Sequence, residues 1–466
     1  MRESLALAEY IAHTRYEDIP GSAVDVTKKS LLDGLGVTLA AGTMGEGCQQ
    51  CVSLAIEGGG KKESTIIGFG IKVPACMAAF ANGSMAHALD FEDTHDRARV
   101  HPNAAVIPAA FAVAESIGNV SGKEFITALA LGSDIVCRLS LARSQEEDYL
   151  KSGWYMPPIL GAFGATTAAC KLLNLGPEQI LDAFSLTLCQ ATCSAELINS
   201  PNSIIRAIRD AFSAKAGVLS ALLAQEGITG FAQPFEGKAG LFTMYSRGNY
   251  DPHTLTNGLG KVFEGANISF KPWPSCRGTH PYIEAALQIV DKYDIKPGDI
   301  EEVKLALGRR SEDRMLSEPI ERKRRPVTAI DAKFSIPFVV ATALVHKRVT
   351  LNHFTPQGLK DPKVLEVARK VSYELDSGLE PGEGLVEFRT KSGLVRSKTP
   401  AFTYGHPNNP VSTEALVSKF IDCAGHSVEQ IPEDNLNKLI ELILHLEDIK
   451  SIEKEVLVTL GRRVKG

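Results

Sequence analysis

The feature that constrains this chain most is a series of alanine-rich, apolar segments within residues 1–230. Residues 102–115, 122–140 and 159–173 are apolar on most sides at helical spacing, and residues 76–89 are dense in small side chains. A helix that is apolar all round is normally buried in a large core. The sequence therefore predicts a large all-α domain for this part of the chain.

A different pattern appears in the second half. Residues 301–307 alternate between polar and apolar side chains, which is typical of a β-strand, and residues 371–388 contain short β-like runs. The helical pattern returns from Ser412. Because 466 residues exceed what a single hydrophobic core usually holds, we expect a smaller α+β domain here and a C-terminal tail that rejoins the helical domain.

Charge and cysteine usage exclude several classes of protein. The net charge of −5 leaves no general basic surface for nucleic acid. No stretch approaches the ~18 charge-free apolar residues of a membrane helix, and the amphipathic start does not look like a secretory signal. Nine scattered cysteines, with one C-x-x-C at Cys48 and Cys51 and no second pair for zinc, suggest reduced thiols. We expect a cytoplasmic protein without nucleic-acid or membrane partners.

The densest polar cluster lies between two of the apolar segments. It consists of His87, Asp90, Glu92, Asp93, Thr94, His95, Asp96, Arg97, Arg99 and His101. Buried charge is costly unless it is paired, so a charged loop between buried helices points to a function. Histidine is a base near neutral pH that a carboxylate can orient, and His101 directly precedes a predicted helix start, where anions bind favourably. We interpret the cluster as an acid–base site.

Two other interpretations of this cluster stay open. A charged loop is often simply solvated. Carboxylates and histidines also suit a divalent metal ion, and the pair His95–Asp96 is similar to the signature of metal-dependent HD phosphohydrolases. Few histidines follow in the chain and none forms an obvious ligand pair, so we expect no metal.

A second cluster occupies the proline- and glycine-rich stretch 271–281. Prolines restrict the backbone, so Lys271, Arg277 and His280 can be held in fixed positions, although a linker with solvated cations has the same composition. Cys276 stands next to Arg277, whose charge favours a thiolate. A lone cysteine of this kind is more often inert, so Cys276 is only a weak candidate.

Two further stretches are basic. Arg206 and Arg209 precede an alanine-rich segment, and an arginine that faces a cavity there would bind a carboxylate, whereas a surface arginine would not. Residues 309–325 hold seven arginines and lysines. Charge runs are usually solvated, so we assign this run no chemistry.

Four stretches carry specific signatures: Asn82-Gly-Ser-Met-Ala-His-Ala-Leu-Asp-Phe-Glu-Asp-Thr94, His101-Pro102, Lys271-Pro-Trp-Pro-Ser-Cys-Arg-Gly-Thr-His280 and Ala332-Lys-Phe-Ser-Ile-Pro-Phe338. Together they resemble the MmgE/PrpD family, whose members include 2-methylcitrate dehydratase, cis-aconitate decarboxylase and iminodisuccinate epimerase. The resemblance implies a mainly α homodimer without a cofactor. It further implies a discontinuous all-α domain, 1–266 plus 400–466, and a smaller inserted α+β lid domain, 267–399, with the active site between them.

The resemblance also implies a set of site residues. The catalytic residues would be His101, His280, Asp90 and Asp93, and the substrate-binding residues would be Thr94, Arg206, Lys271, Arg277 and Tyr155. Arg206 aligns with a lysine of the family, Tyr155 stands where a histidine is common, and Glu92 replaces an aspartate. We expect His101 to be the base, oriented by Asp90 or Asp93, and His280 to be the acid that protonates a leaving hydroxyl.

The predicted reaction is proton abstraction next to a carboxylate of a small di- or tricarboxylic acid. Cations aimed at the carboxylate oxygens would stabilise the developing charge. Dehydration is the preferred outcome, but decarboxylation and epimerisation share the carbanion step. A metal-dependent hydrolase and a catalytically silent binding protein remain alternatives from other classes, although the intact His101 and His280 argue against the silent protein.

Overall fold

The structure is a computed structural model that describes residues 3–460 apart from 144–151, 201, 294, 309–310, 381, 391–392 and 400–401. Its α-helices of eight or more residues are Glu3–His13, Gly21–Met44, Cys48–Glu57, Ala75–Ala88, Pro102–Ile117, Gly122–Ala142, Met156–Leu172, Pro177–Leu188, Asp210–Gln225, His280–Lys292, Ile336–His346, Pro362–Arg369, Thr413–Ala424 and Glu433–Leu444. Shorter α-helices are Glu196–Asn199, Ile205–Ile208, Leu241–Ser246, Pro252–Thr256, Ser311–Met315, Ile320–Arg324, Ala329–Lys333 and Val458–Leu460. The strands are Ser64–Ile66, Ile71–Val73, Ile300–Leu307, Val371–Leu375, Leu385–Thr390 and Gly393–Lys398. The described chain is mainly α.

The helices of the first part approach one another closely because their contacts are made of glycine and alanine. A Cβ atom added to Gly217 would lie 2.5 Å from the Cβ atom of Ala165, and one added to Gly83 would lie 2.9 Å from that of Ala214. Real Cβ atoms do not approach this closely, so even alanine at either glycine would push the helices apart. The small-residue segments of the sequence therefore form close contacts between helices.

Two large hydrophobic clusters divide most of the interior. The first extends from Leu7 to Phe263, includes Leu351, and continues from Phe420 towards the C-terminus. The second extends from Tyr282 to Phe388. The C-terminal helices thus pack on the first cluster. The domain boundaries at 266/267 and 399/400 stay predictions.

The second cluster contains a four-stranded sheet. Its strand order is Val371–Leu375, Ile300–Leu307, Leu385–Thr390 and Gly393–Lys398. The first two strands are parallel and the remaining pairs are antiparallel. The helix His280–Lys292 packs against this sheet, so the segment that precedes it is anchored in the second cluster.

The helix Gly122–Ala142 is the one described helix that is long and apolar enough to cross a membrane by composition. Its most apolar window is completely buried inside the protein. Within it, Arg138 donates to Asp134 over 2.7 Å and to backbone carbonyls. This is the environment of a core helix.

Candidate active site

A cavity of about 530 Å³ lies where the polar loop that ends at His101 meets the segment that precedes the helix His280–Lys292. Five of the predicted site residues line it, Thr94, His101, Tyr155, Arg206 and Arg277, together with the weak candidate Cys276. They come from four separate stretches of the chain, and the fold brings them together.

Four other predicted site residues do not line this cavity. Asp90, Asp93, Lys271 and His280 are 0–1% exposed, and their side chains are engaged inside the protein.

The carboxylate next to His101 is that of Glu92. Nδ1 of His101 lies 2.9 Å from Oε1 of Glu92 and 3.2 Å from the backbone oxygen of Asp93. Nε2 of His101 has no hydrogen-bond partner among the described residues. The expectation that the side chain of Asp90 or Asp93 orients His101 is therefore wrong, because those two carboxylates are turned to other partners.

Glu92 joins His101 to a second imidazole. Its Oε1 atom also lies 2.5 Å from Nδ1 of His87, and the two imidazole rings pack edge to face. Burial opposes ionisation of Glu92, but the charges of His87 and Lys271, among others, outweigh it and hold the pKa of this carboxyl well below its usual range. Glu92 is therefore ionised and accepts from both imidazoles. A carboxylate on Nδ1 leaves Nε2 of His101 as the basic nitrogen.

Asp90 forms a fully buried ion pair with Lys271. Nζ of Lys271 donates to Oδ1 of Asp90 over 2.5 Å and to its backbone oxygen over 2.9 Å. Burial disfavours both charges, but the attraction between them outweighs it, so the pKa of Asp90 is lowered and that of Lys271 is raised. Asp90 also has a left-handed backbone with φ of 48°, a costly conformation that surrounding structure must enforce.

Asp93 is buried with an amide as its side-chain partner. Nδ2 of Asn103 donates to its Oδ2 atom over 2.6 Å. Burial, with help from the charge of Asp33, raises the pKa of Asp93 to about 7. Asp93 therefore ties the loop to the helix Pro102–Ile117, which begins directly after His101.

Arg206 is a buried cation without a carboxylate partner among the described residues. Its guanidinium lies 3.4 Å from the ring centre of Phe334, and its Nη2 atom is 3.4 Å from the hydroxyl of Tyr155. Its Nε atom has no hydrogen-bond partner within the part of the chain that the structure describes. A buried arginine in this state has unused donors for a carboxylate ligand.

Arg277, by contrast, is well anchored. It donates to both carboxylate oxygens of Asp96 at 3.1–3.2 Å and to the backbone oxygens of Thr403 and Tyr404. Arg277 lines the cavity while it makes these contacts. It also joins Asp96, in the polar loop, to the segment that precedes the helix His280–Lys292.

His280 lies under Arg277. Its Nε2 atom donates to the backbone oxygen of Ser275 over 3.2 Å, and Nη1 of Arg277 donates to its Nδ1 atom over 3.4 Å. Burial and the charges of Arg277 and Lys271 lower the pKa of His280 well below its usual range. His280 is therefore a neutral imidazole with both nitrogens occupied.

Sequence reasoning missed several groups around the site. Glu92 was named as a member of the polar cluster and as a replacement, but not as the partner of His101, and nothing in the sequence marks the turn at Thr403 that lines the cavity. Lys333, in the fourth signature, donates to the backbone oxygens of Leu89 and Pro274 at 2.7 and 3.0 Å. Burial lowers the pKa of Lys333 to about 7. Its place in a signature was the only signal available.

Four side chains of the loop region could supply metal ligands. One ligand atom from each of His87, Asp90, Glu92 and His101 lies within 4.8 Å of the others. The Asp90 carboxylate is already paired with the ammonium group of Lys271. His95 and Asp96, the pair that suggested a phosphohydrolase, are directed to other partners, since Asp96 binds Arg277.

Comparison with known proteins covers nearly the whole chain. Residues 5–253 match the MmgE/PrpD N-terminal domain and residues 273–446 match the MmgE/PrpD C-terminal domain. A cis-aconitate decarboxylase-like protein of Aspergillus oryzae is 29% identical over 384 residues, 78% of each chain. Cis-aconitate decarboxylase of Aspergillus terreus is 25% identical over 472 residues, 96% of this chain and 93% of its own length. The human cis-aconitate decarboxylase is 26% identical over 403 residues, 84% of this chain and 80% of its own length.

Proposed function

Because this chain belongs to the MmgE/PrpD family, we propose that it is a lyase that moves a proton at the carbon next to a carboxylate of a small di- or tricarboxylic acid. The observation that carries the proposal is the state of His101. Its Nδ1 atom is held by the Glu92 carboxylate, its Nε2 atom has no partner among the residues that the structure describes, and its side chain lines a cavity that Arg206 also lines.

The cavity contains the parts that such a step needs. The guanidinium of Arg206 binds a substrate carboxylate and stabilises the negative charge that develops on it. Thr94 and Tyr155 line the same space and offer hydroxyl groups to the remaining oxygens. Nε2 of His101 takes the proton from carbon or returns it, while Glu92 stabilises the imidazolium that forms.

Within this class, the environment of His280 favours decarboxylation over dehydration. Loss of water requires an acid that protonates the leaving hydroxyl, and His280, assigned to that task from the sequence, is neutral, buried and occupied on both nitrogens. Loss of CO2 requires no acid at a hydroxyl, because no hydroxyl leaves. The bond to the carboxylate breaks, its electron pair stays on the carbon skeleton, and Nε2 of His101, which has taken a proton from solvent, delivers that proton to the carbon that carries the negative charge. Relatives named cis-aconitate decarboxylase agree with this choice, and cis-aconitate is our first substrate to test.

Proton NMR in deuterated water tests the proposal. The purified chain is incubated with cis-aconitate, 2-methylcitrate, citrate, malate and aspartate in separate reactions. We expect cis-aconitate to lose CO2 and the product to carry solvent deuterium at the protonated carbon. Loss of water from 2-methylcitrate would favour the dehydratase predicted from the sequence. If no acid is consumed and none takes up deuterium, the proposed function is wrong.

The homodimer, the independence from cofactors and the cytoplasmic location stay predictions. Light scattering at micromolar concentration tests the first, with about twice the mass of the chain expected. A monomer that is active in the NMR assay would contradict the dimer without affecting the proposed reaction.

A further inference from the structure

A second cavity, of about 520 Å³, adjoins the first. Arg206, Met315 and Phe334 line both, so these three side chains form the wall between them. The remainder of the second cavity is lined in part by Arg314 and Lys323. These belong to the basic run that the sequence analysis assigned to a solvated surface.

The lining of the second cavity is rich in positive charge. Its cations are Arg206, Arg314, Arg322 and Lys323, and its carboxylates are Glu318 and Asp331. Four cations against two carboxylates leave an excess of two positive charges.

The excess belongs to the two most buried cations. Arg314 pairs with Glu318 at 3.1 Å, and Arg322 pairs with Asp331 at 2.7 Å. Lys323 lies 3.6 Å from Asp331, which Arg322 already occupies. Arg206 has no carboxylate partner in the described part of the chain.

Both of these cations are nine-tenths buried or more. Arg206 is 6% exposed and Lys323 is 3% exposed. Nζ of Lys323 donates to the backbone oxygen of Phe334 over 2.6 Å, a neutral partner. Burial, despite the attraction of Asp331, lowers the pKa of Lys323 to about 8, and the charges of Arg322 and Arg206 contribute to this shift. Uncompensated charge beside a cavity is costly unless an anion is bound there.

We propose that the second cavity binds a small dianionic oxyanion of the phosphate type between Lys323 and Arg206, and that this anion weakens substrate binding in the first cavity. The excess of two positive charges matches a dianion. Anions on the two sides of one guanidinium repel each other and compete for its donors, so their binding is coupled negatively and reciprocally. This site goes beyond the proposed function, because the anion is not converted.

The anionic group in the second cavity has a second potential source. This is the distant carboxylate of a substrate that extends from the first cavity into the second. The two sources predict different effects on the KM of the substrate. A free anion raises the KM of the substrate as its concentration rises, whereas a far carboxylate belongs to the substrate and makes Lys323 a contributor to substrate affinity.

Isothermal titration calorimetry of the full chain with inorganic phosphate, without substrate and at constant ionic strength set by chloride, tests the site. We expect one phosphate per chain. Lys323→Met removes one of the two donors and should weaken the binding about tenfold or more. Arg314→Gln leaves the Glu318 carboxylate at the cavity without its arginine, and this negative charge should also weaken the binding by repelling the anion. Lys304→Met is the matched control, because Lys304 lies on the sheet, pairs with Glu374 and lines neither cavity.

Kinetics complete the test. Phosphate should raise the KM of the wild-type chain at constant kcat and should have a much smaller effect on Lys323→Met. Absence of phosphate binding would overturn the proposal, and so would equal affinity in the wild type and both variants. A phosphate-independent rise in KM in Lys323→Met would assign the cavity to a far carboxylate and also overturn it. If Lys323→Met does not fold, Arg314→Gln decides, because the side chain of Arg314 is 55% exposed. None of these results bears on deuterium uptake, which tests the proposed function separately.

Discussion

Residues 90–101 and residues 271–280 both bring histidine and opposing charges to the site, yet they differ in how they use them. The first stretch places His101 against the cavity. The cations of the second stretch form ion pairs with carboxylates of the first: Lys271 pairs with Asp90, and Arg277 pairs with Asp96. One stretch therefore carries the reactive group, and the other neutralises the carboxylates around it.

The two histidines show what this difference teaches. His101 has the Glu92 carboxylate on Nδ1, which leaves Nε2 as the nitrogen that exchanges a proton with the substrate. His280 lies between Arg277 and Lys271, whose charges, together with burial, disfavour its protonation. Both residues occupy family signatures, so the signature alone does not assign their roles. The charges nearest to each imidazole do.

The largest expected effect comes from breaking the link between the two stretches. Lys271→Met leaves the Asp90 carboxylate buried and unpaired. Breaking a buried ion pair on one side costs about 3–5 kcal/mol, so the urea midpoint of unfolding should fall strongly. Lys271→Met combined with Asp90→Asn removes both charges and should recover part of the loss. A single variant as stable as the wild type would show that the two stretches are not joined by this pair.

The next effect is on catalysis and concerns His101→Asn. Asparagine is a strong helix N-cap but can neither accept nor deliver a proton, and general acid–base catalysis is worth about 10²–10⁴-fold. We expect kcat on the best substrate to fall at least about a hundredfold while the melting temperature stays near that of the wild type. His253→Asn, at an exposed histidine outside the cavity, is the matched control.

A histidine directly before a helix can serve as a helix cap and not as a base, and the structure separates these two roles for His101. It is the residue before the helix Pro102–Ile117, but its side chain makes no capping hydrogen bond. A variant His101→Asn that keeps most of its activity would therefore remove His101 as the base. The assignment of the first stretch as the reactive one would then be wrong.

A smaller effect is expected at the other histidine. His280→Gln retains an amide donor for the backbone oxygen of Ser275 and an acceptor for Arg277. Because we assign His280 to positioning Arg277, kcat should change less than about tenfold, below the range of general acid–base catalysis, with a larger part of the effect in KM. The pH profile of kcat should have the same acidic and basic limbs as the profile of the wild type. A loss of one limb, with a fall of a hundredfold or more, would make His280 the acid and favour dehydration.

The sequence predicts the elements better than the charge pairing. Small residues such as Gly83 and Gly217 predict close helix contacts, because no other residue fits where backbones nearly touch. Some residues that line the cavity, such as His101 and Arg277, could be predicted because signatures and polar clusters mark them. The partner of His101 could not, since Asp90, Glu92 and Asp93 are all near it in sequence and only the fold decides which carboxylate turns towards it.

Pairing across the two stretches could not be predicted from spacing either. Lys271 and Asp90 are 181 positions apart, and no local pattern gives the distance between them. The run at 309–325 fails for a related reason. A charge run is usually solvated, but Lys323 is buried against the backbone of Phe334 because its helix Ile320–Arg324 packs on the second hydrophobic cluster. Burial of a charge depends on tertiary partners that a run does not reveal.

The smallest expected effect is that of metal removal, which we expect to leave activity unchanged. The ligand atoms of His87, Asp90, Glu92 and His101 are close enough for a divalent ion. However, Asp90 is paired with the Lys271 ammonium and both imidazoles are hydrogen-bonded to Glu92. A bound ion would have to displace these contacts and would lie close to the ammonium, which repels it. Activity on the best substrate should therefore survive dialysis against a chelator, and metal analysis should find no stoichiometric ion. Activity that is lost on chelation and returns with one added divalent metal would turn the first stretch into a metal centre. It would also remove His101 as the base, because both stretches would then serve the ion.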